Sequence, residues 1–210
     1  MTERGNQPDE LAQAVAGDRA ALERLLLSHY SRLAAHVARK FPAALRGVLG
    51  EEDVLQETFV EAFRRIGSFE QQGPEAFYGW LAMIASHRLA DAVKAERALK
   101  RGGGQVAGEA NLDVSGRSVI ALLEQLAVQD YTPSRSVARH ESVWAVQVAL
   151  AGLKEEYREA LRLRYIEGLS LGEVAARMGR TERAVDNLCD RGRKRLRAAL
   201  GRASQYLTRK

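Results

Sequence analysis

The sequence predicts an all-α protein made of two small helical domains joined by a flexible linker. Apolar residues recur three and four positions apart along most of the chain, and Ala, Leu, Arg and Glu dominate, which favours helices over strands. Glycines cluster in the stretch 102–132, which interrupts this pattern and is typical of a linker. We therefore expect a first domain at residues 9–101 and a second at residues 133–202.

The composition excludes several classes of protein. The chain has 210 residues and 46% hydrophobic content, enough for real cores, but no apolar run approaches the ~20 residues that span a bilayer. The N-terminal residues lack an apolar signal region, so we expect a cytoplasmic protein without membrane insertion. One cysteine excludes an internal disulfide and a cysteine-rich zinc site, and the four scattered histidines indicate neither a metal nor another cofactor. No set of residues typical of catalysis is present, so the chain is not expected to be an enzyme.

The first domain begins with a long amphipathic helix and continues with an acidic one. A break at Gly17 and a cap at Asp18 precede the long helix, which ends before Pro42. In the stretch 51–69, acidic residues spaced by four form a predicted ridge with Gln56 beside it; these acids are Asp53, Glu57 and Glu61. The ridge fits a basic protein partner, and a merely solvated face is an equal alternative.

A basic helix follows a loop at residues 70–75. Lys94, Arg97 and Arg101 share one helix face, with His87 and Arg88 one or two turns earlier. Aromatic rings beside a basic helix are typical of single-stranded DNA binding, where each stacked base contributes about 1–3 kcal/mol. Phe77 and Trp80 are the candidate rings, although both also fit a core, which is the favoured interpretation for Trp80.

The stretch 170–196 predicts a helix-turn-helix. Ser170 and Glu173 have the spacing of a capping box, and apolar residues then follow at helical intervals. Gly179 ends this short helix and Thr181 caps the next one, in which Val185, Leu188, Cys189 and Leu196 line the inner face. Cys189 is therefore expected to be a small buried hydrophobe.

Basic charge is concentrated on this motif. From Arg177 to Arg202 there are nine Arg or Lys and three acidic residues, a net charge of +6, whereas the whole chain carries +5. The excess favours contact with DNA phosphates, and the alternative is an ordinary solvated helical hairpin. The side chains expected to point outward are Arg183, Asp186, Asn187, Asp190, Arg191, Lys194 and Arg197.

These motifs together resemble a known family. The run EEDVLQETF at residues 51–59, then Phe69, Trp80-Leu81 and Ile84-Ala85, with a basic end at residues 97–101, resembles region 2 of bacterial RNA polymerase sigma factors. Residues 153–197 resemble their region 4. Because only a linker lies between the two, the chain is similar to the extracytoplasmic-function (ECF) class of the sigma-70 family. TPSR at residues 132–135 and the run LCDRGRKRLR resemble planctomycete-type members.

The resemblance implies roles for particular residues. Those that would bind the clamp helices of the polymerase largest subunit are Asp53, Gln56, Glu57, Val60 and Glu61. With the loop 70–77, those that would bind the melted −10 element are Phe77, His87, Arg88, Asp91, Lys94, Arg97 and Arg101. Those that would read the −35 element are Thr181, Glu182, Arg183, Asp186, Asn187, Asp190, Arg191, Lys194 and Arg195.

The family resemblance also implies further partners. The polymerase flap is one of them, and an anti-sigma factor or a kinase is a candidate regulator. Thr132 and Ser134 are candidate phosphorylation positions, although a helix start explains them more simply.

Two departures and one alternative accompany the resemblance. His87 stands where many family members have Asn, and Asp186 stands where many have a basic residue. An acid there repels phosphate but accepts a hydrogen bond from cytosine N4, and Asp190 raises the same question. The alternative is a free-standing helix-turn-helix regulator that binds duplex DNA as a dimer. Charge reversal at Asp53 or Glu57 distinguishes the two, because only a sigma factor would lose polymerase binding.

Overall fold

All regular elements in the described part of the chain are helical. The computed structural model describes residues 7–70, 73, 75–100 and 136–208, and they fall into two compact units, residues 1–113 and 114–210. The predicted all-α class with two helical domains is thus confirmed. Arg101, the linker at 102–132 and the expected start of the second domain lie outside the described residues.

Within the residues that the structure describes, the first unit is a bundle of four helices. They are α1 (Gln7–Val15), α2 (Arg19–Lys40), α3 (Glu51–Arg65) and α4 (Ala76–Lys100), with short 3₁₀ turns at Ala43–Leu45 and Ile66–Ser68. Helix α2 packs against the other three, and α3 packs against α4. The largest fully buried side chains of this core are Leu22, Leu25, Leu26, Leu33, Leu45, Phe59 and Leu81.

The ends of α2 are where the sequence places them. Gly17 has a φ of 102°, and the Asp18 carboxylate accepts hydrogen bonds from the amides of Ala20 and Ala21 at 2.8 and 3.3 Å. This satisfies two amides of the first turn that have no partner within the helix. The helix ends at Lys40, two residues before Pro42.

The described part of the second unit packs three helices around a long fourth. They are α5 (Ser136–Ala151), α6 (Glu155–Leu161), α7 (Leu171–Met178) and α8 (Glu182–Thr208), with a π-helical segment at Arg162–Ile166. Helix α8 contacts α5, α6 and α7. Gly168 has a φ of 72° and lies in the turn after the π segment. None of the helices in the described residues combines the length and the apolar character that crossing a membrane requires.

Candidate nucleic-acid and polymerase interfaces

Helices α7 and α8 form the predicted helix-turn-helix. The Ser170 amide donates to the Glu173 carboxylate at 2.8 Å, and the Glu173 amide donates to the Ser170 hydroxyl at 3.3 Å. The Ser170 hydroxyl also donates to the Glu173 carboxylate at 2.6 Å. This bond is the largest cause of the lowered pKa of the Glu173 carboxyl, and the bond from the Ser170 amide is the next. Gly179 adopts a left-handed conformation with a φ of 61° at the end of α7, and the Thr181 hydroxyl accepts from the Ala184 amide at 3.2 Å at the start of α8. The caps read from the sequence are confirmed.

The inner face of α8 builds the core of the second unit. Val185, Leu188, Cys189 and Leu196 are all buried, as predicted. The Cys189 thiol donates a weak hydrogen bond to the Ala160 carbonyl at 3.8 Å, and burial raises the thiol pKa. A buried thiol with a raised pKa is a poor nucleophile, so Cys189 acts as a packing residue.

The outer face of α8 presents the side chains expected to read DNA. Arg183, Asn187 and Arg191 are spaced by four, so they lie along one exposed ridge. Of the other predicted residues, Asp190 is half-buried and those that are exposed are Thr181, Glu182, Asp186, Lys194 and Arg195. Helix α8 therefore carries a continuous polar surface that is compatible with a major groove.

Three of these residues also have contacts within their own unit. Asp190 forms an ion pair with Arg193, which offsets its repulsion of phosphates. The Arg195 guanidinium lies 5.2 Å from the centroid of the Tyr157 ring. The Glu182 carboxylate lies so close to α7 that a Cβ on Gly172 would be 3.2 Å from its Oε1 atom. These contacts distinguish the three from Arg183, Asn187 and Arg191, which lie on the exposed ridge.

Two arginines counted in the basic excess form ion pairs with acidic residues that precede the helix-turn-helix. Arg177 contacts Glu167 at 3.2 Å, and Arg180 contacts Glu156 at 3.3 Å. Glu167 also contacts Arg162 at 2.6 Å, and its side chain is only 10% exposed. These ion pairs therefore connect the helix-turn-helix to α6 and to the end of the π-helical segment. Sequence analysis did not find these pairs because the partners lie 10 and 24 positions away.

The acidic ridge on α3 is smaller than predicted, which corrects two of the expected positions. Asp53 is only 6% exposed, because its carboxylate turns back and accepts from the Gly50 amide at 2.8 Å. Asp53 thus supplies the carboxylate half of a capping box, while Gly50 has no side chain that could accept from the amides of the first turn. Val60 is also 6% exposed and belongs to the core. Glu57 is exposed, Gln56 is half-buried, and they remain on the surface with Glu61.

Phe77 is a core residue. It is 4% exposed and its ring centroid lies 5.9 Å from that of Phe69 and 5.8 Å from that of Trp80. Phe77 therefore has no exposed ring face on which a base could stack, which corrects the stacking role expected for it. Trp80, for which the core was favoured, is the more accessible of the two and is half-buried.

The basic face of α4 contains most of its predicted members. His87, Asp91, Lys94 and Arg97 are exposed, whereas Arg88 is half-buried. Lys94 contacts Asp91 at 3.4 Å. The face therefore offers cations along one side of α4, moderated by one acid.

A group of side chains surrounds Tyr78 in the first turn of α4, and it was not predicted from the sequence. The Arg32 guanidinium lies 3.6 Å from the centroid of the Tyr78 ring, and its Nη1 atom is 2.5 Å from Glu75 Oε2. His29 and His36 flank the same ring at centroid distances of 6.4 Å. The pKa of His36 is lowered by burial and by nearby Lys40 and Arg39. The spacing of His29, Arg32 and His36 along one face of α2 was the available signal.

No group of three or more His, Cys, Asp or Glu side chains within the described ranges is arranged to hold a metal ion.

Comparisons with known proteins give the family to which the chain belongs. A family model described as ECF sigma factor matches residues 8–202. The chain is 31% identical over 176 residues to the ECF RNA polymerase sigma factor BldN of Streptomyces coelicolor, covering 84% of this chain but only 59% of that protein. It is 30% identical to the RNA polymerase sigma-H factor of Pseudomonas aeruginosa, with 82% of each chain covered. It is also 30% identical to the ECF RNA polymerase sigma factor SigD of Mycobacterium bovis, covering 98% of this chain and 90% of that protein. The chain therefore belongs to the ECF sigma factors of the sigma-70 family.

Proposed function

We propose that this sigma factor binds core RNA polymerase through α3 and promoter DNA through α4 and α8. The observation that carries the proposal is the exposed polar ridge of α8, which lies in a different unit from the acidic surface of α3. Two such surfaces suit a subunit that holds a large basic partner with one domain and a DNA duplex with the other. Promoter recognition of this kind needs no bond chemistry in the sigma subunit itself.

The polymerase contact is assigned to the exposed part of α3. Gln56, Glu57 and Glu61 would dock on the clamp helices of the largest subunit, and the second domain would contact the flap. Asp53 and Val60 would act indirectly, because the first caps α3 and the second packs beneath it.

The −10 contact is assigned to the loop 70–77 and the face of α4. His87, Lys94, Arg97 and Arg101 would follow the single-stranded backbone, with Arg88 and Asp91 beside them. Phe77 would support the loop from the core rather than stack on a base. Unstacking a base costs about a few kcal/mol. Binding each unpaired base outside the duplex would offset this cost.

The −35 contact is assigned to α8 in the major groove. Arg191 would bind guanine O6 and N7 through two hydrogen bonds, Asn187 would pair with adenine, and Asp186 would accept from cytosine N4. Thr181 would bind a phosphate near the start of the helix.

The organisation and setting of the molecule belong to the same proposal. Residues 9–101 and 133–202 would be the two functional domains and residues 102–132 the linker that crosses the polymerase cleft. The protein would act in the cytoplasm under an anti-sigma factor or a kinase, and the run LCDRGRKRLR supports a planctomycete-type subtype.

Transcription in vitro tests the proposal directly. Purified core polymerase would be supplied with a library of promoters, with and without this protein, and the transcripts sequenced. We expect a defined subset of promoters to be transcribed only when the protein is present. No added transcripts, together with dimeric binding to duplex DNA in the absence of polymerase, would contradict it.

A further inference from the structure

In the first unit, an ion pair joins the α3 surface proposed to bind polymerase to the α4 surface proposed to bind the −10 element. Arg88 on α4 donates from Nη2 to Glu61 Oε2 on α3 at 2.9 Å. Arg65, one turn after Glu61 on α3, contacts the other carboxylate oxygen at 3.6 Å. In the functional assignment above, Glu61 belongs to the polymerase surface and Arg88 to the −10 surface. One hydrogen bond thus connects a residue of the polymerase surface to a residue of the −10 surface.

We propose that the Glu61–Arg88 pair couples polymerase docking to the capture of single-stranded DNA. In the free protein the Glu61 carboxylate holds the Arg88 guanidinium against α3. A polymerase cation that contacts Glu61 competes for the same carboxylate and releases Arg88 to a DNA phosphate. This inference rests on the proposed function, since it uses the partners assigned there to α3 and α4.

The exposure of the pair permits this exchange. The side chains of Arg88 and Glu61 are 34% and 18% exposed, so each is reachable by a partner from outside. A fully buried pair could not exchange partners without leaving an uncompensated charge in the core. When Arg88 leaves, Arg65 remains beside Glu61, so a positive charge stays next to the carboxylate.

The coupling is reciprocal and modest. If polymerase binding strengthens DNA binding by some factor, DNA binding strengthens polymerase binding by the same factor. Partly exposed ion pairs typically contribute enough to change an equilibrium about two- to fivefold. That is the range expected here.

The test measures DNA binding by the full-length free protein. The probe is a fluorescein-labelled pool of random single-stranded DNA of about 12 nucleotides, followed by fluorescence anisotropy at low salt, because phosphate contacts weaken as salt rises. Glu61→Asp shortens the side chain and breaks the contact without changing the net charge, whereas Glu61→Gln removes the charge. Glu51→Gln, at an exposed position on the same helix, is the matched control for a lost negative charge. Each Glu61 variant is also combined with Arg88→Ala.

We expect Glu61→Asp and Glu61→Gln to tighten DNA binding about two- to fivefold relative to wild type and to Glu51→Gln. We expect no tightening when Arg88 is replaced by Ala as well. Any other pattern, including a gain that persists without Arg88 or is matched by Glu51→Gln, overturns the coupling. If the wild-type protein still directs transcription in that case, the inference fails while the proposed function stands. If it directs none, the proposed function fails.

Discussion

Gly192 is buried where α8 crosses α6, and the crossing leaves little room for a side chain. A Cβ at this position would lie 3.2 Å from Cδ1 and Cγ of Leu161 and 3.4 Å from Cβ of Tyr157. Leu161 is itself fully buried, so its freedom to shift is small. We expect Gly192→Ala to lower the free energy of unfolding by about 1–2 kcal/mol, because overpacking outweighs the better helix propensity of Ala. Urea unfolding followed by circular dichroism measures the change.

Gly201 provides the matched control on the same helix. It is exposed, and a Cβ there would meet nothing within 4 Å. Gly201→Ala should therefore raise stability by up to about 1 kcal/mol through helix propensity alone. Equal effects of the two substitutions would contradict the close crossing.

We expect substitutions at Glu57 and Asp53 to distinguish an effect on polymerase binding from an effect on folding. Glu57 is exposed, so Glu57→Arg should weaken binding to core polymerase at least about tenfold through like-charge repulsion and leave stability nearly unchanged. Asp53→Arg should instead lower stability by about 1–3 kcal/mol, because the Gly50 amide loses its acceptor and a long cation enters a buried position. Gel filtration with core polymerase measures the first effect and thermal unfolding the second. Normal polymerase binding by a folded Glu57→Arg variant would remove α3 from the proposed interface.

Arg191 and Arg195 should differ in how they affect DNA recognition. Arg191 lies on the exposed ridge with Arg183 and Asn187, whereas Arg195 lies over the Tyr157 ring. Arg191→Ala should cost about 1–3 kcal/mol and relax specificity at one base pair. Arg195→Ala should weaken binding to all sequences alike. A selection from a randomised −35 library distinguishes the two, and uniform weakening by Arg191→Ala would show that this residue contacts phosphate only.

The capping box of α7 makes the stability of that helix depend on pH. Hydrogen bonds with Ser170 lower the pKa of the Glu173 carboxyl in the folded state below its unfolded value. The carboxylate therefore stabilises the fold above the unfolded pKa of about 4.3, and this contribution is lost as the pH falls through the lower folded pKa. Wild type should be more stable than Glu173→Gln at pH 7, and the difference in melting temperature should shrink as the pH falls below ~4. A difference that is independent of pH would exclude the carboxylate as its cause.

The features predicted correctly from the sequence depend on neighbouring residues. The caps at Asp18, Ser170 and Thr181 use partners within three positions, so their spacing is visible in the sequence. The inner face of α8 follows from a single helical period, which is equally local. Local chemistry thus accounts for the ends of α2, for α7 and for the start of α8.

The errors arise where the deciding contact is distant or where two orientations share one pattern. Spacing by four places Asp53 beside Glu57 but does not show that the Asp53 carboxylate turns back to Gly50. Helical periodicity does not reveal which aromatic ring of a cluster faces inward, and Phe77 rather than Trp80 does so. The pairing of Arg177 with Glu167 depends on how the chain folds back over the π-helical segment.

At the level of the whole molecule, the proposed function requires the 102–132 segment to span the distance between the two proposed DNA-binding surfaces. Fully extended, this stretch reaches on the order of 100 Å. Two DNA sites separated by two helical turns are ~70 Å apart. The 102–132 segment can therefore reach further than the distance between the two DNA sites. A deletion within the segment can remove this excess reach.

Deleting residues 103–117 leaves about 16 residues of the stretch, which reach only ~55 Å. We expect this variant to bind core polymerase and −35 duplex DNA separately, because neither surface is altered, but to lose transcription from promoters that require both elements. Replacing the deleted residues with Gly and Ser at the same length should restore transcription, since the reach is recovered. Runoff transcription with the three proteins measures this. Full activity of the shortened chain would show that the two surfaces do not act on DNA together through this tether, and failure of the Gly/Ser chain would show that the sequence of the stretch matters in addition to its length.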